Sequence, residues 1–184
     1  MEFKVIETPI AGLLIVEPKL FADSRGYFME TYRKRDYAAL GIAVDFVQDN
    51  QSKSRAGTLR GLHFQRENPQ AKLVRVLSGK VFDVGVDLRK NSPSFGQWYG
   101  MVLDAEQKRQ FFLPAGFAHG FLAMTEGVEF IYKCSDYYRA DDEGGLAWDD
   151  PDIGIDWPLA GLGEPNLSDK DRTWPRLKDL NFSY

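Results

Sequence analysis

The sequence predicts a mainly β protein, one sandwich or barrel domain with a jelly roll as the best fit. Three observations carry this. Short extended segments recur about every 8–12 residues with turn residues between them, the spacing of all-β domains. The chain has 13 Phe, 8 Tyr and 4 Trp, residues that favour strands and sites stacking flat ligands. Its 184 residues suit a single domain, residues 1–184, that buries about 70% of its unfolded surface and needs no disulfide or structural metal. No internal repeat, low-complexity run or linker interrupts it.

The elements follow in order. Residues 3–7 and 13–18 are strand-like and separated by Gly12. Residues 23–26, DSRG, form a turn before the extended 27–32. Residues 33–40 predict a helix with a solvated basic run, Arg33-Lys34-Arg35, stopped by Gly41 at the C′ position. Residues 44–50 are extended again. Between 72 and 88 two strands flank Ser78-Gly79, which predicts a two-residue hairpin. In the second of them Phe82, Val84, Val86 and Leu88 share one face; Val81, Asp83, Gly85 and Asp87 share the other. The second face, polar with a gap at glycine, points to water or into a ligand cavity. Residues 96–104 and 109–114 are strands, as are the stretches on either side of Gly127. Beyond Arg139 the chain turns acidic and irregular, which predicts solvated loops and a small helical tail.

Composition removes several functions. With 23 basic against 27 acidic residues the net charge is −4, which argues against nucleic-acid binding but leaves room for a local basic pocket. Cys134 is the only cysteine, and His63 and His119 are the only histidines. Cys-rich zinc, three-His zinc and HExxH sites are therefore excluded. The N-terminus interleaves charged and apolar residues, so no signal peptide or membrane span is expected, and the cytoplasm is the default compartment. Three Asn-X-Ser tripeptides, the last at 181–183, are then chance matches. There is no Walker A loop, GxGxxG or GxSxG.

Four clusters offer chemistry. In Thr58-Leu59-Arg60-Gly61-Leu62-His63-Phe64-Gln65, His63 is either a core histidine or a general base. In a regular strand Arg60 and His63 point to opposite faces, so a shared site requires a bulge or bend at Gly61. His119, in the Gly-rich run 113–121, contacts a ligand or stabilises a turn. Tyr132 is a half-buried strand aromatic or a phenolic acid. In Leu167-Ser168-Asp169-Lys170-Asp171, Ser168 reads as the N-cap of a polar helix start.

The segments FADSRGYFMETY, FVQDNQSKS, LRGLHFQ, KLVRVLSGKVFDVGVDLRKNSPSFGQW, LPAGFAHGF, YKCSDYY, WDDPDIGIDWP and LSDKD occur in this order between Phe21 and Asp171. Together they closely resemble the dTDP-4-dehydrorhamnose 3,5-epimerase family of dTDP-L-rhamnose synthesis, which feeds cell-surface polysaccharides. The resemblance implies a cupin-type jelly roll, a homodimer, a dTDP-sugar substrate, and no metal or other cofactor. It also implies inversion of C3 and C5 of dTDP-4-dehydro-6-deoxy-D-glucose. It casts His63 as general base, Asp171 as its carboxylate partner in preference to Asp169, and Tyr132 as general acid. Lys72 and Arg60 become cations beside sugar and phosphates, and His119 a pocket residue. Gln48, Asn50 and Tyr138 become nucleotide contacts, with Arg25, Phe28 and Glu30 reaching the nucleotide from a partner subunit. The chemistry suits these residue types. One C4 ketone acidifies both C3–H and C5–H, a cation stabilises the enolate, and inversion needs base and acid on opposite walls.

Three rivals remain at this point. A related epimerase acting at C3 or C5 alone would use the same residues. A metal cupin would need more ligands than two histidines offer. A non-catalytic sugar-binding module would have no use for an acid–base pair.

Overall fold

The structure, a computed structural model, describes residues 3–181 and 184. Met1 and Glu2 of the charged N-terminus, and Phe182 and Ser183 of the last Asn-X-Ser tripeptide, lie outside the described residues. Strands β1 (Lys4–Glu7) and β2 (Leu14–Glu17) form a hairpin, and β3 (Phe21–Asp23) and β4 (Gly26–Phe28) form a second. Helix α1 (Lys34–Ala39) follows. Then come β5 (Gln48–Ser54), β6 (Leu59–Gln65), β7 (Lys72–Ser78), β8 (Lys80–Asp87), β9 (Trp98–Asp104), β10 (Gln110–Leu113), β11 (Phe117–Ala123), β12 (Val128–Cys134) and β13 (Glu143–Gly145).

Among the described residues, six strands form one antiparallel sheet in the order β1-β2-β10-β7-β12-β5, and five form another, β13-β6-β11-β8-β9. The inner faces meet through Val74, Val76, Phe111 and Phe130 on one side and Val81, Leu103 and Phe121 on the other. This is a sandwich of jelly-roll type, as the strand spacing predicts. Helix α1 ends as its sequence implies. Gly41 takes φ +90°, and the Gly41 and Ile42 N–H groups donate to Ala38 and Tyr37 carbonyls, closing a Schellman motif.

Three sequence expectations are corrected. Ser78-Gly79 is not a hairpin turn: β7 pairs with β10 and β12, while β8 pairs with β11 and β9 in the other sheet. Gly79, at φ +79° with Thr125 Oγ1 only 2.5 Å from where a Cβ would sit, carries the chain across the sandwich. The turn chemistry was legible, but the pairing is long-range. Second, the acidic segment beyond Arg139 is not a set of solvated loops. Leu146, Ile153 and Trp157 pack on Val84, Val86 and Leu88, covering the outer face of the five-stranded sheet. Asp142 and Asp150 are buried and accept backbone N–H bonds from Glu67 and Asn68, and from Leu177 and Asp152. The helical tail is one 3-10 turn, Leu177–Asp179. Third, Ser168 Oγ does accept the Asp171 N–H at 3.1 Å, yet no helix follows, because Pro175 disfavours helical backbone at the residue before it. The apolar face of β8 thus looks outward under this cover. Val81, Asp83, Gly85 and Asp87 look inward.

Candidate active site

A cavity of about 440 Å³ opens between the two sheets. β6 and β11 supply one wall. Gly61 takes φ +120°, and the β11–β6 register slips between His119 and Phe121. A Cβ on Gly61 would lie 2.6 Å from Gly120 Cα, so only glycine fits. This irregularity is the bend that lets Arg60 and His63 share the cavity, which both line.

His63 Nε2 faces Asp171 Oδ1 at 2.5 Å, with the imidazole 30% and the carboxylate 5% exposed. With Nε2 so engaged, Nδ1 is the nitrogen left to take a proton. Burial pushes the Asp171 pKa upward, but hydrogen bonds from His63, Ser168 and Trp174 outweigh it and the net shift is downward. Asp171 is therefore a carboxylate at neutral pH. Asp169 is exposed.

His119 sits opposite His63 in the ladder, in strand rather than turn, and is buried. Its Nε2 lies 2.9 and 3.1 Å from the two oxygens of Asp83. Burial lowers the His119 pKa despite Asp83, and raises the Asp83 pKa despite His119 and Lys72. Asp83 answers the question left by the β8 alternation: the polar face looks into the sandwich.

The six-stranded sheet supplies the opposite wall. Tyr132 on β12 pairs with Val74 and Asn50, and Lys72 heads β7 with its Nζ 5.9 Å from the Tyr132 ring centre. Burial, then Cys134 nearby, pushes the Tyr132 phenol up to about 12, so it holds its proton at neutral pH. Burial pushes the Lys72 ammonium down, and Cys134, Asp83 and Glu143 oppose the shift. Arg60 Nε donates to Ser54 Oγ at 3.1 Å.

Toward the mouth, the Tyr138 N–H donates to Gln48 Oε1 at 2.9 Å, and Gln48 Nε2 donates to Asn50 Oδ1 at 3.0 Å. These three expected nucleotide contacts form one connected rim. The structure also brings in residues that the sequence reading did not select. Lys170 forms an ion pair with Glu143, whose Oε2 accepts the Tyr138 hydroxyl at 3.2 Å. Ser52 lines the cavity with a buried hydroxyl that has no partner among the described residues. Asp83 had a signal in the period-2 pattern; Glu143 and Lys170 lay in acidic or capping contexts with none.

Arg25, Phe28 and Glu30 are not brought to this cavity. Arg25 is 87% exposed and pairs with Asp23. Phe28 is 63% exposed, and Glu30 pairs with Arg33. All three lie on or just after the β3–β4 hairpin, whose exposed Phe21, Tyr27 and Phe28 make an apolar arm.

A family model described as dTDP-4-dehydrorhamnose 3,5-epimerase matches residues 7–179. A dTDP-4-dehydrorhamnose 3,5-epimerase of Salmonella typhimurium is 54% identical over 94% of each chain. A crystal structure of a dTDP-6-deoxy-D-glucose-3,5-epimerase from Legionella pneumophila, in complex with dTDP-4-keto-L-rhamnose, superposes with TM-score 0.94 at 47% identity, covering 98% of this chain and 95% of that one. A 3'-monoepimerase from Streptomyces bikiniensis in complex with dTDP-quinovose superposes with TM-score 0.85 at 36% identity, covering 93% and 86%.

Proposed function

The chain belongs to the dTDP-4-dehydrorhamnose 3,5-epimerase family, and we propose that its inter-sheet cavity performs the double inversion with His63 as base and Tyr132 as acid. The reaction converts dTDP-4-dehydro-6-deoxy-D-glucose to dTDP-4-dehydro-L-rhamnose. The observation that carries the assignment is placement: His63 and Tyr132 stand on opposing sheets and line one cavity.

His63 Nδ1 takes the proton from the carbon next to the C4 ketone. Asp171 fixes the imidazole tautomer and stabilises the imidazolium that forms. The electrons move onto the C4 oxygen, where the Lys72 ammonium stabilises the enolate. Tyr132 then delivers its proton to the opposite face of the same carbon, completing one inversion. C3 and C5 flank one carbonyl, so a single base and acid serve both after the tyrosinate is reprotonated.

Arg60 and Lys72 supply positive charge to a diphosphate, which explains cations in the cavity of an acidic chain. Gln48, Asn50 and Tyr138 hold the base at the mouth. The active form is a homodimer in which a second copy lends Arg25, Phe28 and Glu30 through its hairpin arm; their separation from this chain's own cavity supports that reading. Among the described residues no helix is long and apolar enough to cross a membrane. A cytoplasmic location fits the single reduced cysteine and a sugar-nucleotide substrate.

The test is incubation with the 4-keto substrate in deuterated water, reading C3 and C5 by NMR. Deuterium and inversion at both carbons are expected. Label and inversion confined to one carbon would make the protein a single-position epimerase.

A further inference from the structure

The carboxylate behind His63 has a second donor. Trp174 Nε1–H reaches Asp171 Oδ1 at 3.2 Å, the same oxygen that faces His63 Nε2 at 2.5 Å. The indole meets the imidazole edge-on, with centroids 6.2 Å apart and planes at 73°. A glycine makes room for it. Gly145 on β13 stands opposite His63 in the β13–β6 register. A Cβ at Gly145 would lie 2.2 Å from indole Cδ2 and Cε2. Pro175 anchors the segment, its carbonyl accepting the Ala147 N–H at 2.8 Å.

We propose that Trp174 is a positioning residue of the epimerisation, holding Asp171 Oδ1 on His63 through its indole N–H, and that Gly145 is the slot that admits it. This rests on the reading of His63 as the base. Two donors on one oxygen fix the carboxylate's rotation, since turning it away breaks both bonds. They also divide the oxygen's charge, so the indole N–H tempers how strongly Asp171 holds an imidazolium. The proton can then leave His63 between the two inversions. Trp174 does not line the cavity, so its contribution should appear in turnover and not in binding.

Trp174→Phe keeps the wedge and deletes the donor. Gly145→Ala keeps the donor and displaces the ring. Charged and titratable groups around His63 are Asp171 behind it, Arg60 on its own strand, and His119 from the neighbouring β11, with Asp83 of β8 bonded to His119. Lys72, Tyr132 and Cys134 face it from the opposite sheet, and Tyr138, Glu143 and Lys170 from the mouth. Both substitutions leave these groups in place, but Lys170 Nζ lies 5.8 Å from the Trp174 ring centre; Phe keeps a ring face for Lys170, so a shift in the pH profile of Trp174→Phe reports the released Asp171 oxygen.

Each variant is expected to lower kcat about tenfold with KM changed less than about twofold. The acid limb of kcat/KM should move to higher pH by about half to one unit. The double variant should be no worse than the more affected single one, because both remove the same bond. In the unsubstituted protein the Trp174 indole N–H resonance, assigned by its loss in Trp174→Phe, should move with the titration that sets that limb. Wild-type kcat and acid limb in Trp174→Phe would overturn the proposal, as would a loss carried entirely by KM or an indole resonance indifferent to pH. If Gly145→Ala does not fold, Trp174→Phe and the indole resonance decide. Failure of the base assignment is read separately, because His63→Ala would then retain solvent exchange whatever Trp174 does.

Discussion

Replacing Asp171 by Asn tests the electrostatic half of the mechanism at nearly constant shape. In the structure the carboxylate is 5% exposed and its Oδ1 lies 2.5 Å from His63 Nε2. When His63 takes the substrate proton, the two groups become an ion pair with charge centres about 4 Å apart. At an effective dielectric near 20 this is worth about 4 kcal/mol, about three decades in rate. The imidazole is 30% exposed, and discounting for solvent leaves a loss of about 10²–10³ in kcat. The amide also offers an N–H to Nε2 in one orientation, favouring the wrong tautomer, which acts in the same direction. In the other orientation the amide oxygen still faces both His63 Nε2 and the Trp174 N–H, so the fold should lose only about 1 kcal/mol. The assay is initial-rate NMR at saturating substrate, with substrate binding measured separately by calorimetry. Unchanged affinity with the stated loss in kcat is expected. Turnover near wild type in Asp171→Asn, with Asp169→Asn crippled instead, would show that Asp169 and not Asp171 is the partner of His63.

Tyr132→Phe removes the proton donor and keeps the ring; deuterium exchange at C5 without inversion should outlast epimerisation, and joint loss of both at full occupancy would show that Tyr132 is needed to form the enolate. Subunits carrying His63→Ala, mixed with subunits carrying Arg25→Ala and Phe28→Ala, should regain activity, because each mixed dimer assembles one complete site from two chains; no recovery would place the arm on its own chain's site or on none. Burial raises the Asp87 pKa, but hydrogen bonds from Arg89, Ser92 and Ser94 overcome it and hold the value at about 2. A depressed carboxylate stabilises the fold above its unfolded value near 4, and the contribution fades as pH falls from there to about 2. It amounts to roughly 2 kcal/mol. Acid titration of urea unfolding should show this loss in wild type and not in Asp87→Asn, which starts lower at neutral pH.

How far the sequence foretold this structure depended on whether the information was local. Alternation along residues 81–87 marked Asp83 as inward or wet, and the inner face of the sandwich settles which. Gly61 was recognised as the position that must bend for Arg60 and His63 to meet, because that follows from strand geometry alone. Gly79 reads as a turn, but nothing local says which strand a turn delivers the chain to, so from sequence the crossing between sheets looks like a hairpin. Asp142 and Asp150 looked solvated because charge usually is; their burial depends on backbone N–H groups distant in sequence. Asp171, Tyr132 and Lys72 stand out through the family's motifs and not through spacing. The Trp174–Gly145 fit was invisible for the same reason as the crossing: its parts meet only in three dimensions.

In the proposed mechanism one group, His63, removes the proton at both carbons. His63→Ala protein, saturated with dTDP-4-dehydro-6-deoxy-D-glucose in deuterated water and followed by NMR at C3 and C5, tests it most directly. Substrate affinity should be unchanged, with exchange and inversion at both positions reduced by at least about 10²–10⁴-fold. Deuterium entering C3 or C5 at the wild-type rate would contradict it.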